Sequence, residues 1–169
     1  RREFRSGLYE GVKYGMIASR GLFDRVSSST KAMFTRDASA LALAIVDVDH
    51  FRLVNEISRS YRVGDDVLRA MAQILGAASR DVDLTCRWAG EEFAVLFPRT
   101  ERAAAVAACE RIRERVEEHD WATIHPSIRV SVSIGLAGSG EATSADELML
   151  LAETRAAQAM NEGRNQVSW

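Results

Sequence analysis

Cysteine and proline are scarce in this sequence, which has two of each among its 169 residues. Cys86 falls in a strand-like run and Cys109 in a helix-like run. Both are therefore predicted to be small core residues rather than a disulfide pair. Without a disulfide framework, a reducing compartment such as the cytoplasm is the expected location.

Long apolar runs are also missing. Uninterrupted apolar runs such as Leu41 to Val46 are short, whereas a membrane-spanning helix needs about 20 apolar residues. No segment has the charged, apolar and small-residue layout of a secretory signal. This part of the chain is therefore not expected to cross a membrane.

A strong excess of charge of either sign is absent as well. The formal net charge is -2 and the pI is about 6.0, so no broad basic surface is available to hold a nucleic-acid backbone. No nucleic-acid partner is expected, and any phosphate recognition must be local. The composition, 47% hydrophobic and 27% charged, is typical of one globular domain with a single core.

Strand-like and helix-like segments alternate along the chain. Two strand-like runs near its middle are close enough together to form a β-hairpin. Predicted strands cover residues 41–47, 84–88, 93–97 and 128–136. One helix is predicted around Phe51 to Ile57 and a second after Gly64-Asp65, where a new element is expected to begin. A third is predicted from 102 to 118, and a fourth from a capping box of Ser144 and Glu147 to about residue 162. Gly163 is expected to stop the last helix. The pattern predicts an α/β chain with a mixed sheet.

Acidic residues cluster where these strands end. Asp47 closes the first strand, and Glu91 and Glu92 lie in the turn between the two hairpin strands. Converging carboxylates repel one another unless cations neutralise them, and magnesium with substrate phosphates is the usual partner of such a set. Two magnesium ions would suit phosphoryl transfer. A solvated acidic turn explains the same residues equally well.

Two motifs carry a resemblance to a known family. Residues 87–93, Arg-Trp-Ala-Gly-Glu-Glu-Phe, resemble the signature hairpin of the GGDEF family of diguanylate cyclases. Residues 47–55 resemble that family's upstream D-x-D-x-F-K-x-x-N element. Further matches lie at 64–65, 132–135 and 163–165, in the family's order and near its spacing. The resemblance covers about residues 15 to 168.

The resemblance implies a fold, a reaction and a set of partners. The fold is α/β (α+β), with a mixed sheet of about five strands flanked by helices and related to the adenylyl cyclase and polymerase-palm core. The reaction joins two GTP molecules into cyclic di-GMP and releases pyrophosphate, with Mg²⁺ or Mn²⁺ as cofactor and a homodimer as the catalytic unit. Residues 15–169 would form this domain. Residues 1–14 would be a linker or helix end following an upstream sensory domain.

Site residues follow from the matched motifs, position by position. The resemblance makes Asp47 and Glu91 carboxylate ligands of the metal, assisted by the backbone carbonyl of Val48, and makes Glu92 a metal ligand or the group that activates the 3′-hydroxyl. Guanine would be read by Asn55 and Asp65, whose amide and carboxylate suit the polar edge of the base. The remaining substrate contacts would come from Phe51 beneath the site, Arg52, Gly90 and Arg164.

Several positions depart from the family pattern. Ala89 replaces the first glycine of the signature, and Arg52 stands where lysine is usual, which changes reach although it keeps the charge. Met160 occupies the place of a phosphate-directed lysine, so weaker GTP binding is expected. Residues 58–62 form a loop that is one residue longer than in the family, which alters the predicted guanine pocket.

A second nucleotide site is implied by Arg80 and Asp83, an R-x-x-D string in which Asp83 precedes Ala89 by six positions. This place matches the family's inhibitory site for cyclic di-GMP, to which Arg111 would contribute from a neighbouring domain. Arginine donors and a carboxylate acceptor together match a guanine edge. The alternative is an ordinary surface ion pair. The run of Arg111, Arg113 and Arg115 with its glutamates is predicted to be a solvated helix face.

Three functions remain open from the residues. The preserved carboxylates favour a diguanylate cyclase. Met160 and the altered loop favour a module without activity that binds cyclic di-GMP or GTP and signals to neighbouring domains. The unusual loop also permits a nucleotidyl cyclase of different base preference.

Overall fold

A computed structural model describes Ser28, Lys31 and residues 40–169 of the chain. The linker predicted for residues 1–14 lies outside the described residues. From residue 40 onward the chain folds around one sheet with helices on both of its faces.

In the described part of the chain, five strands make up the sheet. In chain order they are β1 (Leu41–Val48), β2 (Leu84–Ala89), β3 (Glu92–Pro98), β4 (Val132–Gly138) and β5 (Val167–Ser168). Their spatial order is β2-β3-β1-β4-β5, with β1 antiparallel to both of its neighbours and β5 parallel to β4. The predicted mixed sheet with an antiparallel hairpin is therefore confirmed.

Within residues 40–169, four α-helices cover the sheet. They are α1 (Phe51–Ser58), α2 (Tyr61–Ala78), α3 (Arg102–Glu117) and α4 (Ala145–Asn161). Helices α2 and α3 bury their apolar sides in the core on one face of the sheet, and α4 packs on the other face. None of the helices in the described part of the chain is long and apolar enough to cross a membrane.

Alternation along β1 determines which face each side chain occupies. Ala42, Ala44 and Val46 belong to the core beneath α2 and α3, whereas Leu43 and Ile45 belong to the core beneath α4. Because successive side chains of a strand point to opposite faces, Asp47 continues the second set. The acidic end of β1 therefore lies on the face that α4 covers.

The structure corrects several of the predicted boundaries. Tyr61 and Arg62, predicted to belong to the loop 58–62, begin α2, and Glu92, predicted to lie in the hairpin turn, begins β3.

Gly64 and Asp65 lie inside α2 instead of preceding it. Gly64 packs against Asn55, whose side-chain oxygen would lie 2.2 Å from an added Cβ, so this glycine does not mark a turn. The fourth strand begins at Val132 rather than at residue 128. Val132 pairs with Val48, the last residue of β1, so residues 128–131 have no strand beside them to complete a ladder.

The start of α4 realises half of the predicted capping box. The Ser144 hydroxyl accepts a hydrogen bond from the Glu147 backbone N–H at 3.2 Å. The Glu147 carboxylate accepts from the backbone N–H of Thr143, at 2.7 Å, and not from that of Ser144. Cys86 and Cys109 are both buried and unpaired, as predicted.

Candidate active site

Asp47 and Glu92 are direct cross-strand neighbours in the pairing of β1 with β3. Opposite residues of an antiparallel pair share a face, and these two carboxyl groups are hydrogen-bonded to each other. Burial, followed by the charges of Glu92, Glu91 and Asp49, raises the pKa of Asp47 to about 7. Burial, followed by the charge of Glu153, also raises the pKa of Glu92. The pair is thus a site where negative charge is concentrated and incompletely solvated.

The hairpin turn is attached to the end of β1. The Val48 N–H donates a hydrogen bond to the Glu91 carbonyl at 3.3 Å. Gly90 adopts the left-handed region, with φ 48°, which glycine enters at little cost, and its carbonyl accepts from Arg87 Nε at 2.7 Å. Ala89 is not among the described residues with positive φ, so its methyl group creates no backbone strain. The turn therefore holds Glu91 beside Asp47.

The donor set at this end of the sheet fits a hard divalent cation. It comprises the carboxylates of Asp47, Glu91 and Glu92 and the backbone carbonyl of Val48, and oxygen donors of these kinds are the ligands that magnesium and manganese prefer. Within residues 40–169, no three side chains of His, Cys, Asp or Glu are grouped tightly enough to form a complete cage. Such a site would need substrate oxygens to complete it, as magnesium sites at phosphates usually do.

The predicted guanine-reading residues lie at the junction of α1 and α2. Asn55 is on α1, and its side-chain Oδ1 is buried with no hydrogen-bond partner among the described residues. A Cβ on Gly64 would lie 2.2 Å from that atom and 3.1 Å from the Phe51 ring, so α2 approaches both side chains closely. Asp65 follows Gly64, and its charge acts on Arg87, whose pKa burial lowers. A buried oxygen without a hydrogen bond lowers the stability of the fold, so this oxygen is suited to accept a hydrogen bond from a ligand.

The basic residues are arranged less favourably for a triphosphate. Arg52 is 92% exposed and bonds Glu56 at 2.8 Å. Arg164 has a left-handed backbone, with φ 65°, and in residues 40–169 its side chain makes no hydrogen bond or ion pair. Met160, partly buried near the end of α4, offers no charge.

Sequence reasoning assigned no role to two acidic residues near the pair. Asp49 is 3% exposed, and its position two residues after Asp47 is the signal that could have placed it on the same face. Glu153 on α4 accepts from the Trp88 indole N–H at 3.3 Å. Nothing in the sequence around Glu153 indicated that it lies near the hairpin, because α4 and the hairpin are brought together only when the chain folds.

The predicted solvated face of α3 is wrong for one of its three arginines. Arg113 has a side chain only 17% exposed. It donates to Glu110 at 2.8 Å, to Glu117 at 2.7 Å and to Asn165 at 3.1 Å. Asn165 is 52 positions away along the chain, so helical spacing alone could not reveal the contact.

The R-x-x-D string forms a tight local unit. Asp83 is buried, with a side chain 3% exposed, and bonds Arg80 Nη2 at 2.7 Å. Its carboxylate also accepts the Arg80 backbone N–H at 2.7 Å, and Arg80 Nη2 contacts Thr100 Oγ1 at 2.6 Å. The Arg80 side chain is still 51% exposed. Arg111 is exposed on α3.

Comparison with known sequences identifies the family of this arrangement. The family profile described as "Diguanylate cyclase, GGDEF domain" matches residues 15–166. The response regulator PleD of Caulobacter vibrioides is 35% identical over 136 residues, which are 79% of this chain and 30% of that protein. Diguanylate cyclase DgcM of Escherichia coli is 33% identical over 151 residues, 89% of this chain and 36% of that protein. The chain thus spans about a third of the length of these curated relatives.

Solved structures have the same fold. The GGDEF domain of DgcB from Caulobacter crescentus, in complex with cyclic di-GMP, has a TM-score of 0.78 at 28% identity and covers 88% of each chain. The active GGEEF domain of a diguanylate cyclase from Vibrio cholerae has a TM-score of 0.79 at 22% identity, covering 86% of this chain and 94% of that one.

Proposed function

The chain belongs to the GGDEF family of diguanylate cyclases, and from this premise we propose that it condenses two GTP molecules into cyclic di-GMP with release of pyrophosphate. The observation that carries the proposal is the juxtaposition of Asp47 and Glu92 on neighbouring strands, with Glu91 held beside them by the hairpin turn. Carboxylates concentrated in this way are arranged for cations and phosphates rather than for stability.

We further propose that Mg²⁺ or Mn²⁺ is held by Asp47, Glu91 and the Val48 carbonyl. The bound ion would supply charge neutralisation for the triphosphate and for the leaving pyrophosphate. Glu92, whose pKa is raised by burial, would accept the proton of the 3′-hydroxyl as that oxygen attacks the α-phosphate of the other GTP. One P–O bond forms and the bond to pyrophosphate breaks.

Recognition of the substrate would rest on the residues around this pair. The unpartnered Asn55 Oδ1 is suited to accept a guanine N–H, and Asp65 would accept a second one. Gly90 would allow the backbone to approach the nucleotide, with Phe51 packed beneath it. Arg164, and Arg52 after release from Glu56, would contact phosphate oxygens.

A single domain cannot complete the reaction, because each would hold one GTP and the product joins two. A homodimer with facing sites is therefore part of the proposal. Residues 15–169 would form the catalytic domain in the cytoplasm, where GTP is available, with an upstream sensory domain controlling the encounter of two copies.

Product feedback is proposed at Arg80, Asp83 and Arg111. Asp83 already binds Arg80, so its role would be to orient the guanidinium, which is half exposed and would donate to a guanine or a phosphate. Arg111 from a neighbouring domain would complete the site. A bound product would then hold two domains apart.

A module without activity that binds GTP or cyclic di-GMP is the second candidate. Met160 and the engagement of Arg52 with Glu56 favour it, because both reduce the positive charge available to a triphosphate. The solved GGDEF domain of DgcB in complex with cyclic di-GMP is a family member that holds the dinucleotide.

The deciding experiment is incubation of the purified protein, in a dimerisation-competent form, with GTP and magnesium, followed by chromatography for cyclic di-GMP. Parallel reactions contain EDTA in place of the metal, or ATP in place of GTP. We expect cyclic di-GMP only with GTP and metal. Binding of GTP without product in a confirmed dimer would exclude the cyclase and support the second candidate, whereas product from ATP would indicate altered base preference.

A further inference from the structure

Asp49 is buried, and the described hydrogen bonds that its carboxylate accepts all come from other segments of the chain. Its Oδ1 accepts from Ser133 Oγ at 2.6 Å. Its Oδ2 accepts from Ser131 Oγ at 2.6 Å and from the Asn165 backbone N–H at 3.0 Å. These three hydrogen bonds satisfy both oxygens of the carboxylate. Asp49 is thus occupied with holding the chain and not with a ligand.

The segment that Asp49 holds has an unusual backbone. Gly163, Arg164 and Asn165 all have positive φ, at 123°, 65° and 45°. For residues other than glycine this conformation costs about 1–2 kcal/mol each. Such a conformation persists only when surrounding contacts determine it. The turn therefore depends on its anchors.

The anchors lie on both sides of Arg164. Before it, α4 ends and the Arg164 N–H donates to the Ala159 carbonyl at 2.9 Å. After it, Asn165 is bound by Asp49 through its backbone, and by Arg113 and Glu117 through its side chain, at 3.1 and 2.8 Å. The Arg164 Cα is therefore fixed, while in the described part of the chain its side chain has no polar partner.

The same contacts place this turn next to the acidic pair. Ser133, which bonds Asp49, is the cross-strand neighbour of Asp47 on β4. Met160, four residues before Arg164, carries no charge, so the orientation of Arg164 carries added weight for any triphosphate bound beside the acidic pair.

We propose that Asp49 is a positioning residue that, through the Asn165 backbone, orients Arg164 toward the triphosphate of bound GTP. The inference rests on the proposed function, since it assumes that GTP binds beside Asp47. It predicts that most of the contribution of Asp49 to GTP affinity disappears when Arg164 is removed, because the proposed role of Asp49 is exerted through that side chain.

A double-mutant cycle tests this dependence. The probe is a GTP analogue with a methylene bridge between the α and β phosphates, which cannot react, titrated by calorimetry with magnesium into the wild type, Asp49→Asn, Arg164→Ala and the double variant. We expect about tenfold weaker binding for Arg164→Ala, the size of one charge-assisted contact, and about threefold to fivefold for Asp49→Asn. The double variant should bind no more than about twofold weaker than Arg164→Ala.

Two further measurements separate positioning from general support of the fold. GMP, which lacks the β- and γ-phosphates, should bind wild type and Asp49→Asn equally, whereas a distorted fold would weaken both nucleotides. If Asp49→Asn does not unfold cooperatively, Ser131→Ala replaces it in the cycle, because it removes a hydrogen bond to the same Asp49 Oδ2 that accepts the Asn165 N–H and leaves the Asp49 side chain in place.

If the double variant loses affinity by the product of the two single-variant factors, or if Asp49→Asn weakens GMP as much as the GTP analogue, the positioning role is overturned and the proposed function stays intact. Failure of the wild type to bind the analogue at all would overturn both.

Discussion

Gly64 on α2 lies against Asn55 on α1 so closely that a Cβ at Gly64 would be 2.2 Å from the Asn55 side-chain oxygen. That oxygen is buried and has no partner among the described residues. The two helices therefore meet at the unpartnered Asn55 oxygen, and they can approach this closely because Gly64 has no side chain.

The first prediction concerns this contact. Gly64→Ala should lower the free energy of unfolding by about 1–3 kcal/mol, as overpacking does, and should weaken GTP binding because Asn55 must move. Gly76→Ala, on the same helix with no atom within 4 Å of its added Cβ, is the matched control. It should raise the free energy of unfolding by about 0.5–1 kcal/mol through helix propensity.

Urea denaturation and GTP titration of both variants measure these effects. Equal stabilisation of the two variants would mean that the Asn55 side chain yields without cost, and the assigned close packing would then have no energetic consequence.

Helix patterning could not reveal the role of Gly64, because glycine before an apolar run is also typical of a chain reset. The strands were predictable, since the alternation of Leu43, Ile45 and their neighbours is a local property of the sequence. The contacts of Arg113 with Asn165 were not, because they arise only when α3 and the turn after α4 are brought together. The Asp47–Glu92 pair lies between these cases. The sequence motifs identified both residues as site candidates, but their direct pairing depends on the register between β1 and β3 in the folded sheet.

The second prediction is loss of synthesis in Glu91→Gln and in Glu92→Gln. A neutral amide cannot balance the charge of magnesium, and at Glu92 it cannot accept the 3′-hydroxyl proton. The fold should persist, and Glu92→Gln should unfold at an equal or higher temperature than wild type without metal, since repulsion from Asp47 is removed. Glu118→Gln, at an exposed position, should retain synthesis. Product formation at the wild-type rate in either site variant would contradict the assignment.

The third prediction is that Met160→Lys strengthens GTP binding, by about threefold to tenfold, because it adds a cation to the helix that precedes Arg164. The gain should shrink as salt is added, because ions screen the new attraction. Asn161→Lys adds the same charge at the exposed neighbouring position and should change the affinity less. Identical gains in both variants would show a general charge effect instead of a directed contact.

The fourth prediction concerns acid stability at the opposite end of β4. Glu141 bonds Arg155 at 2.8 and 2.9 Å and accepts the Gly138 N–H at 2.9 Å. Hydrogen bonds from Arg155 are the main cause that lowers the pKa of Glu141 from 4.5 to about 2. A depressed folded-state pKa stabilises the protein above the unfolded-state value, and this stabilisation is lost as the pH falls from about 4.5 through about 2.

Glu141→Gln should therefore lower the free energy of unfolding at neutral pH by about 1–2 kcal/mol and flatten its dependence on pH in that acidic window. Glu56→Gln, which breaks the exposed pair with Arg52, should change stability by less than about 1 kcal/mol. Chemical denaturation at a series of pH values provides the comparison. An unchanged pH profile in Glu141→Gln would contradict the assigned pKa.

The last prediction concerns product feedback. Arg80→Ala should weaken cyclic di-GMP binding by at least about tenfold, or 1.4 kcal/mol, because the half-exposed guanidinium would donate to a guanine or phosphate acceptor. Arg80 is a cleaner target than Asp83, since Asp83 also accepts the Arg80 backbone N–H and its loss would loosen the turn itself. Arg111→Ala should weaken the same binding, whereas Arg115→Ala, an exposed arginine on the same helix, should not. Calorimetry that finds equal affinity and stoichiometry in wild type and Arg80→Ala would place bound product elsewhere, at the acidic pair.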